Sequence, residues 1–127
     1  MLPNRNRNRP TSVVVAAVLG LCLNCQVNLK PGLDSANNLL YEQNYVEAER
    51  LYRKLLKQLP TNQPLSDHQD GQRLFVLDKL GSINTLYLND YTAAISYYGI
   101  LVRNYPRSNE AFAARATVAD IYHHKLG

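Results

Sequence analysis

A few carboxylates and histidines near the end of the sequence have spacing that could serve metal chemistry. Asp120 stands three and four residues before His123 and His124, so a helix would place two ligands on one face. No third ligand is apparent nearby, and histidines also suit the C-terminal end of a helix because of its dipole. The pattern therefore favours a polar helix end over a metal site.

Two further groups of reactive side chains carry little chemical signal. The acidic residues of Asp67-His68-Asp70 suit the start of a helix better than a metal site. Cys22 and Cys25 have C-x-x-C spacing, but no strand–helix pattern surrounds them and the sequence has no second cysteine pair. Nucleophile-elbow, phosphate-loop and zinc-protease motifs are missing from the sequence. We expect no enzymatic activity, no metal and no cofactor.

The first 25 residues have the layout of a secretory leader. Three arginines within residues 5–9 precede an apolar run of eleven residues, 13–23. At about 1.5 Å per residue this run spans only half of a bilayer core, which is typical of a signal peptide. We therefore expect export to the periplasm. An uncleaved anchor or a buried segment is the alternative.

Two ways of processing this leader stay open. Its end, L-G-L-C-L-N-C, resembles the lipobox of bacterial lipoproteins, although neither cysteine is a clean match. Cys25 is the preferred candidate for lipidation because it suits the length of the apolar run, and Cys22 is the second candidate. A lipid on either cysteine would hold the protein at the outer membrane. Ordinary cleavage, for example after Gly20, is the alternative.

The formal charge of +4 on 127 residues is concentrated at the start of the chain. Without residues 1–24, eleven Lys and Arg face ten Asp and Glu, a net charge of +1. No basic stripe with interleaved aromatic residues remains, which argues against nucleic-acid binding.

The remainder of the chain has helical periodicity and contains an internal repeat. Apolar residues recur every three or four positions within 45–59 and again within 91–105. Aligned on the prolines that end them, the two segments place Tyr45 over Tyr91 and Leu55 over Leu101, which is typical of repeat architectures. The same alignment superimposes further pairs: Ala48 on Ala94, Tyr52 on Tyr98, and Pro60 on Pro106.

A shorter apolar helix is predicted before each of these segments. Polar turns at residues 43–44 and 89–90 connect each pair, and short turns of this kind produce antiparallel helix hairpins. Ser66 and Gln69 have capping-box spacing, so the helix before the second segment should begin near Asp67.

Residues 33–127 resemble the tetratricopeptide repeat (TPR) family. That family places small residues where two helices cross, an aromatic residue beside them, and a proline at the end of the second helix. The resemblance implies an all-α fold in which hairpins stack as a short right-handed solenoid. It assigns packing roles to Ala36, Ala48, Tyr52, Pro60, Gly81 (or its neighbour Ser82), Ala94, Tyr98 and Pro106.

Two departures from the family pattern stand out. The prolines are 46 residues apart instead of 34, mostly because of the insertion T-N-Q-P-L-S-D-H-Q-D-G-Q. Between Gly81 and Tyr91 the sequence also has one residue more than the usual repeat.

A third copy begins at Pro106 and would supply one further helix, from about Ser108 to Lys125. The sequence Y-P-R-S-N-E-A-F-A-A-R-A-T-V-A-D-I-Y-H-H-K-L-G resembles the opening helix of a TPR in bacterial envelope proteins. Examples are the TPR lipoprotein of the outer-membrane β-barrel assembly machinery and the Tol-Pal coordinator. We expect one side of this helix to pack on the preceding hairpin and the other to stay open to self-association or to a partner. One predicted side consists of Phe112, Ala116, Ala119 and His123. The other consists of Val118 and Tyr122.

These observations divide the chain into a leader (1–25), a linker (26–33) and a TPR-like domain (34–127) with two hairpins and one unpaired helix. The expected function is an exported scaffold that binds other envelope proteins. The alternative is the N-terminal fragment of a longer TPR array, structural and without activity of its own. The first helices of TPR hairpins line a concave groove, which implies the candidate groove residues Asn37, Asn38, Tyr41, Asp78, Asn84, Arg115 and Asp120.

Overall fold

A computed structural model describes residues 27–59 and 65–127. Within these residues the fold is entirely helical, as the periodicity predicted, and no strand is present. The leader, both cysteines and Pro60 lie outside the described residues. The elements are α1 (Lys30–Tyr41), α2 (Tyr45–Gln58), α3 (Asp67–Ile83), a π-helical segment (Asn84–Leu88), α4 (Tyr91–Asn104) and α5 (Asn109–His124).

The helices form two hairpins and a further single helix. Gln43 in the first turn and Asn89 in the second adopt positive φ angles of 59° and 55°, which reverse the chain over a few residues. Each helix packs on the next one along the chain, and α5 also contacts α3. This arrangement of packed neighbours is consistent with a TPR-like helical solenoid.

The first helix begins earlier than the predicted domain boundary at residue 34. α1 starts at Lys30, with a proline in its first turn, where the missing N–H of proline costs no hydrogen bond. Leu29, just before the helix, is buried in the core. Residues 30–33 therefore belong to the helical unit and not to a linker.

Two clusters of buried side chains hold the hairpins together. The first joins α1, α2 and α3 around Tyr52, and the second joins α3, α4 and α5 around Tyr98. The predicted small packing residues are all buried, namely Ala36, Ala48, Gly81 and Ala94. Small side chains at these positions let neighbouring helices approach closely while an aromatic ring fills the space beside them.

The start of α3 confirms the predicted capping box. The Ser66 side chain accepts a hydrogen bond from the Gln69 backbone N–H, and the Gln69 side chain accepts one from the Ser66 backbone N–H. Both bonds satisfy donors that the first turn of a helix leaves free.

The π-helical segment Asn84–Leu88 accounts for the extra residue between Gly81 and Tyr91. A π-helix takes up one additional residue without leaving the helix axis. Two side chains support this wider turn: Asn84 Nδ2 donates to Leu80 O and Thr85 Oγ1 donates to Gly81 O, each over 2.8 Å. Tyr87 in this segment also stacks on Tyr45, with ring centroids 3.9 Å apart. The π-helical segment therefore contributes to the contact between the two hairpins.

The predicted sides of α5 require a correction. The helix packs on the preceding hairpin through Ala111, Ala114 and Ile121, which are buried, with half-buried Val118 beside them. The first predicted side, Phe112 with Ala116, Ala119 and His123, is exposed. Alanines occur all round this helix, so its faces differ little in apolar character.

Candidate protein-binding groove

An open groove of about 410 Å³ separates the first helices of the two hairpins. No Cα atom of α1 comes within 8 Å of one in α3, whereas each packs closely on α2. The groove is therefore a channel between two helices with α2 behind it. Its lining consists of Asn28, Lys30, Leu33, Asp34 and Asn37 on the α1 side, and His68, Gln72 and Phe75 on the α3 side.

The base of the groove is fixed by a hydrogen bond from the core. Tyr52 Oη, at the end of a fully buried ring on α2, donates to Asn37 Oδ1 over 2.6 Å. Burial raises the pKa of Tyr52 to about 12, so this hydroxyl remains a proton donor at neutral pH. The bond fixes the orientation of the Asn37 amide and leaves its NH₂ group available to a ligand.

Phe75 supplies the apolar part of the groove. Its ring meets Tyr52 edge-on, with centroids 6.4 Å apart and planes 61° apart, and it remains partly exposed. The ammonium group of Lys79 lies 5.3 Å from the Phe75 ring centroid, within the range of a cation–π contact. An aromatic ring held in place by such neighbours is a suitable anchor for an apolar side chain of a partner.

Charged and polar side chains line the same groove as this ring. Lys30 and Asp34 form an exposed ion pair with 3.2 Å between Nζ and Oδ2. Gln72 Oε1 is buried and has no hydrogen-bond partner among the described residues. A buried acceptor without a partner is costly.

Of the predicted groove residues on α1, only Asn37 lines this groove. Asn38 and Tyr41 lie on the same helix but outside the lining, and the Tyr41 side chain is 91% exposed.

The two candidates on α3 and the π-helical segment are less accessible. Asp78 is half-buried, and burial, with a smaller contribution from nearby Glu110, raises its pKa. The prediction that Asn84 lines an exposed groove is wrong. Its side chain is only 2% exposed and supports the π-helical turn.

The two candidates on α5, Arg115 and Asp120, do not line the α1–α3 groove. Asp120 contacts His124, with 2.7 Å between Oδ1 and Nδ1. Arg115 lines a second groove of about 470 Å³ between α4 and α5. The walls of this second groove are mainly apolar and comprise Ile95, Tyr98, Gly99, Val102, Arg103, Arg115, Val118, Ala119 and Tyr122.

Most residues of the α1–α3 groove were not foreseen from the sequence. Lys30, Leu33, Asp34 and Asn37 follow the i, i+3, i+4, i+7 spacing of a single helix face. The predicted linker over residues 26–33 interrupts this pattern, so the helix face is not apparent from the sequence. On α3, His68, Gln72 and Phe75 share a face in the same way.

The described residues carry no sign of a metal site or a membrane span. Within residues 27–59 and 65–127, no three His, Cys, Asp or Glu side chains are grouped so that they could hold a metal ion. None of the five α-helices in this part of the chain has the length and apolar character needed to cross a bilayer.

Comparison with known proteins supports the repeat assignment. No curated protein and no solved structure matches the chain significantly. A family model for the tetratricopeptide repeat matches residues 75–108. This stretch runs from Phe75 in α3 through the π-helical segment and α4 to Ser108, the residue that caps α5. The match falls on the second hairpin and supports a tetratricopeptide repeat there.

Proposed function

We propose that this protein is a non-catalytic scaffold that binds other proteins of the bacterial cell envelope. TPR repeats generally mediate protein–protein interaction, and the repeat match to residues 75–108 supports this general role. The observation that carries the proposal is the open α1–α3 groove, which is lined by the partly exposed ring of Phe75 and by the oriented amide of Asn37.

The lining of the groove defines the kind of segment that would fit. An apolar side chain of the partner would lie against Phe75 and Leu33. A carbonyl group of the partner would accept a hydrogen bond from the exposed Asn37 amide. Lys30 and Asp34 present charges of opposite sign at the same edge, so the groove suits a segment of mixed composition better than a highly charged one.

A binding experiment in an envelope extract tests this function. Wild-type protein is used as bait beside Phe75→Asp and a control, Val46→Asp, which changes an exposed residue of α2 away from the groove. A saturable partner that is retained by wild type and the control but lost with Phe75→Asp supports the proposal. A structural segment of a longer array would retain no specific partner, and equal retention by all three proteins would place binding elsewhere.

Export to the periplasm, with lipid attachment at the outer membrane, is part of the same proposal. It rests on the arginine-rich start and short apolar run of residues 1–25. Fusing residues 1–30 to a reporter that is active only outside the cytoplasm tests the leader separately from the groove. Reporter activity supports export, and a silent cytosolic fusion contradicts it.

A further inference from the structure

The groove between α4 and α5 is lined by apolar side chains from both helices. They include Ile95 and Val102 on α4 and Val118 on α5. Tyr122 also lines the groove and is 55% exposed. Within residues 27–59 and 65–127 no third helix contributes to the lining, so the groove, about 470 Å³ in volume, is open to a partner.

Two arginines give this groove a positive charge. Arg103 lies on α4 and Arg115 on α5, and the described part of the lining contains no acidic residue. Both arginines are exposed, and neither forms an ion pair with a described residue. Arg115 donates to Pro106 O over 3.1 Å, which leaves its other N–H groups available. The carboxylate of Asp120, further along α5, contacts His124.

Gly99 leaves the α4 wall of the groove without a side chain at its middle. Glycine inside a helix is less favourable than alanine, so its presence in α4 needs a structural reason. The contacts of the described chain supply none, because a Cβ on Gly99 would meet only Arg103 Nη1, at 3.6 Å, which is ordinary van der Waals contact. A partner that packs closely against α4 explains the small residue.

We propose that the α4–α5 groove binds an amphipathic helix of another protein that carries carboxylates beside its apolar face. An open channel between two packed helices admits a third helix through side chains at i, i+3, i+4 and i+7. The two unpaired arginines favour an acidic partner over a second copy of this chain. In a two-fold dimer through this groove the same patch would meet itself, so both sides would be positively charged.

The positions of the arginines predict how the bound helix is oriented. Arg103 is next to the last residue of α4, and Arg115 lies in the first half of α5, so both are nearer to the connecting turn than Ile95 and Tyr122. The carboxylates of the partner would lie at the turn end, where each can accept two parallel hydrogen bonds from a guanidinium group. Its apolar residues would lie toward Ile95 and Tyr122.

This docking site goes beyond the function proposed for the α1–α3 groove. The two grooves share no lining residue, so either proposal can fail without the other.

Peptide binding to the full chain tests the proposal. The probe is a synthetic helical peptide with leucines at i, i+3, i+4 and i+7 and glutamates at one end of the same face, and its counterpart has lysines in place of the glutamates. Fluorescence anisotropy should show saturable binding of the acidic peptide and about tenfold weaker binding of the basic one. Arg103→Glu and Arg115→Glu should each reverse this preference. Gly99→Leu should weaken both peptides without lowering the melting temperature.

Matched controls locate the bound peptide. Lys57→Glu reverses an exposed charge on α2, and Ser96→Leu adds the same bulk to an exposed position of α4 outside the groove. Neither should change the dissociation constant, and nor should Phe75→Asp in the α1–α3 groove. Circular dichroism checks that every variant folds.

Four results would overturn the proposal. They are no saturable binding of the acidic peptide, equal binding of the two peptides, binding that is insensitive to Gly99→Leu, and loss of binding with Phe75→Asp. A chain that dimerises and thereby excludes the peptide would overturn it as well.

Discussion

The ring of Tyr98 lies directly against the backbone of Gly81, so closely that a Cβ placed on Gly81 would be 2.6 Å from Tyr98 Cζ. The neighbouring Ser82 Oγ lies 3.3 Å from the Tyr98 hydroxyl oxygen. Glycine at this position therefore allows α3 and α4 to cross at short range, with the tyrosine ring filling the space that a side chain would occupy.

Replacing Gly81 with alanine should destabilise the protein. Overpacking of this kind costs about 1–3 kcal/mol, which exceeds the gain of up to about 1 kcal/mol from better helix propensity. Gly71→Ala in the same helix is the matched control, because nothing lies within 4 Å of its Cβ position. We expect the control to be neutral or stabilising in denaturant unfolding. Equal effects of the two substitutions would contradict the close contact.

The buried alanines of α2 and α4 should be equally intolerant of size. Ala48 and Ala94 are completely buried, and replacing either with leucine should lower the free energy of unfolding by about 1–3 kcal/mol. Ser96→Leu adds the same side chain at an exposed position of α4 and should have little effect. The melting temperatures of all three variants provide the measurement, and unchanged values for both alanine variants would argue against this helix register.

The helical fold could be predicted because several independent signals agreed. The apolar stripes predict the helices α2 and α4. The turns at Gln43 and Asn89 predict the two hairpins, and the Ser66 capping box predicts where α3 begins. The start of α1 was harder to predict from the sequence. A proline followed by glycine, as at Pro31, indicates a break, but proline is also favoured in the first turn of a helix.

Other features depended on tertiary contacts that the sequence does not display. One extra residue before Tyr91 was visible, but only the side-chain bonds of Asn84 and Thr85 show that it is absorbed within a helix. Because the Asn84 side chain is buried, it does not line the candidate groove. The α1–α3 groove requires knowledge of how far apart the two helices lie, and no spacing pattern within a single helix provides that distance.

Stability should fall in alkaline solution as Tyr52 ionises. Burial raises the pKa of Tyr52 from 10.0 to about 12, so between these values the folded state binds more protons than the unfolded state. The free energy of unfolding must then decrease as pH rises through this range. Burial and the hydrogen bond to Asp70 raise the pKa of Tyr105 to about 12 as well, which adds to the effect.

A tyrosine substitution can isolate the contribution of Tyr52 to this dependence. Tyr52→Phe should cost about 0.5–1.5 kcal/mol at neutral pH through loss of the bond to Asn37 and should make the alkaline decline shallower. Tyr41→Phe, at an exposed side chain, is the control. Denaturant unfolding at several pH values measures both, and an unchanged slope for Tyr52→Phe would show that another group dominates.

The proposed lipid anchor makes a separate prediction for the leader. Cys25→Ala should abolish incorporation of a labelled fatty acid and release the protein from membranes, while Cys22→Ala should retain both. The reverse result would move the anchor to Cys22. Absence of label in the wild-type protein would indicate ordinary cleavage instead.

Site-specific photo-crosslinking in cells tests the central claim, that the α1–α3 groove holds a segment of another envelope protein. A photoreactive amino acid replaces His68, which lines the groove, and in a control chain it replaces Val46, which is exposed on α2. The account predicts a discrete crosslinked species from position 68 that disappears when Phe75→Asp is added, and no such species from position 46. The same crosslinks from both positions, or none from position 68 while the protein is folded and abundant, would contradict it.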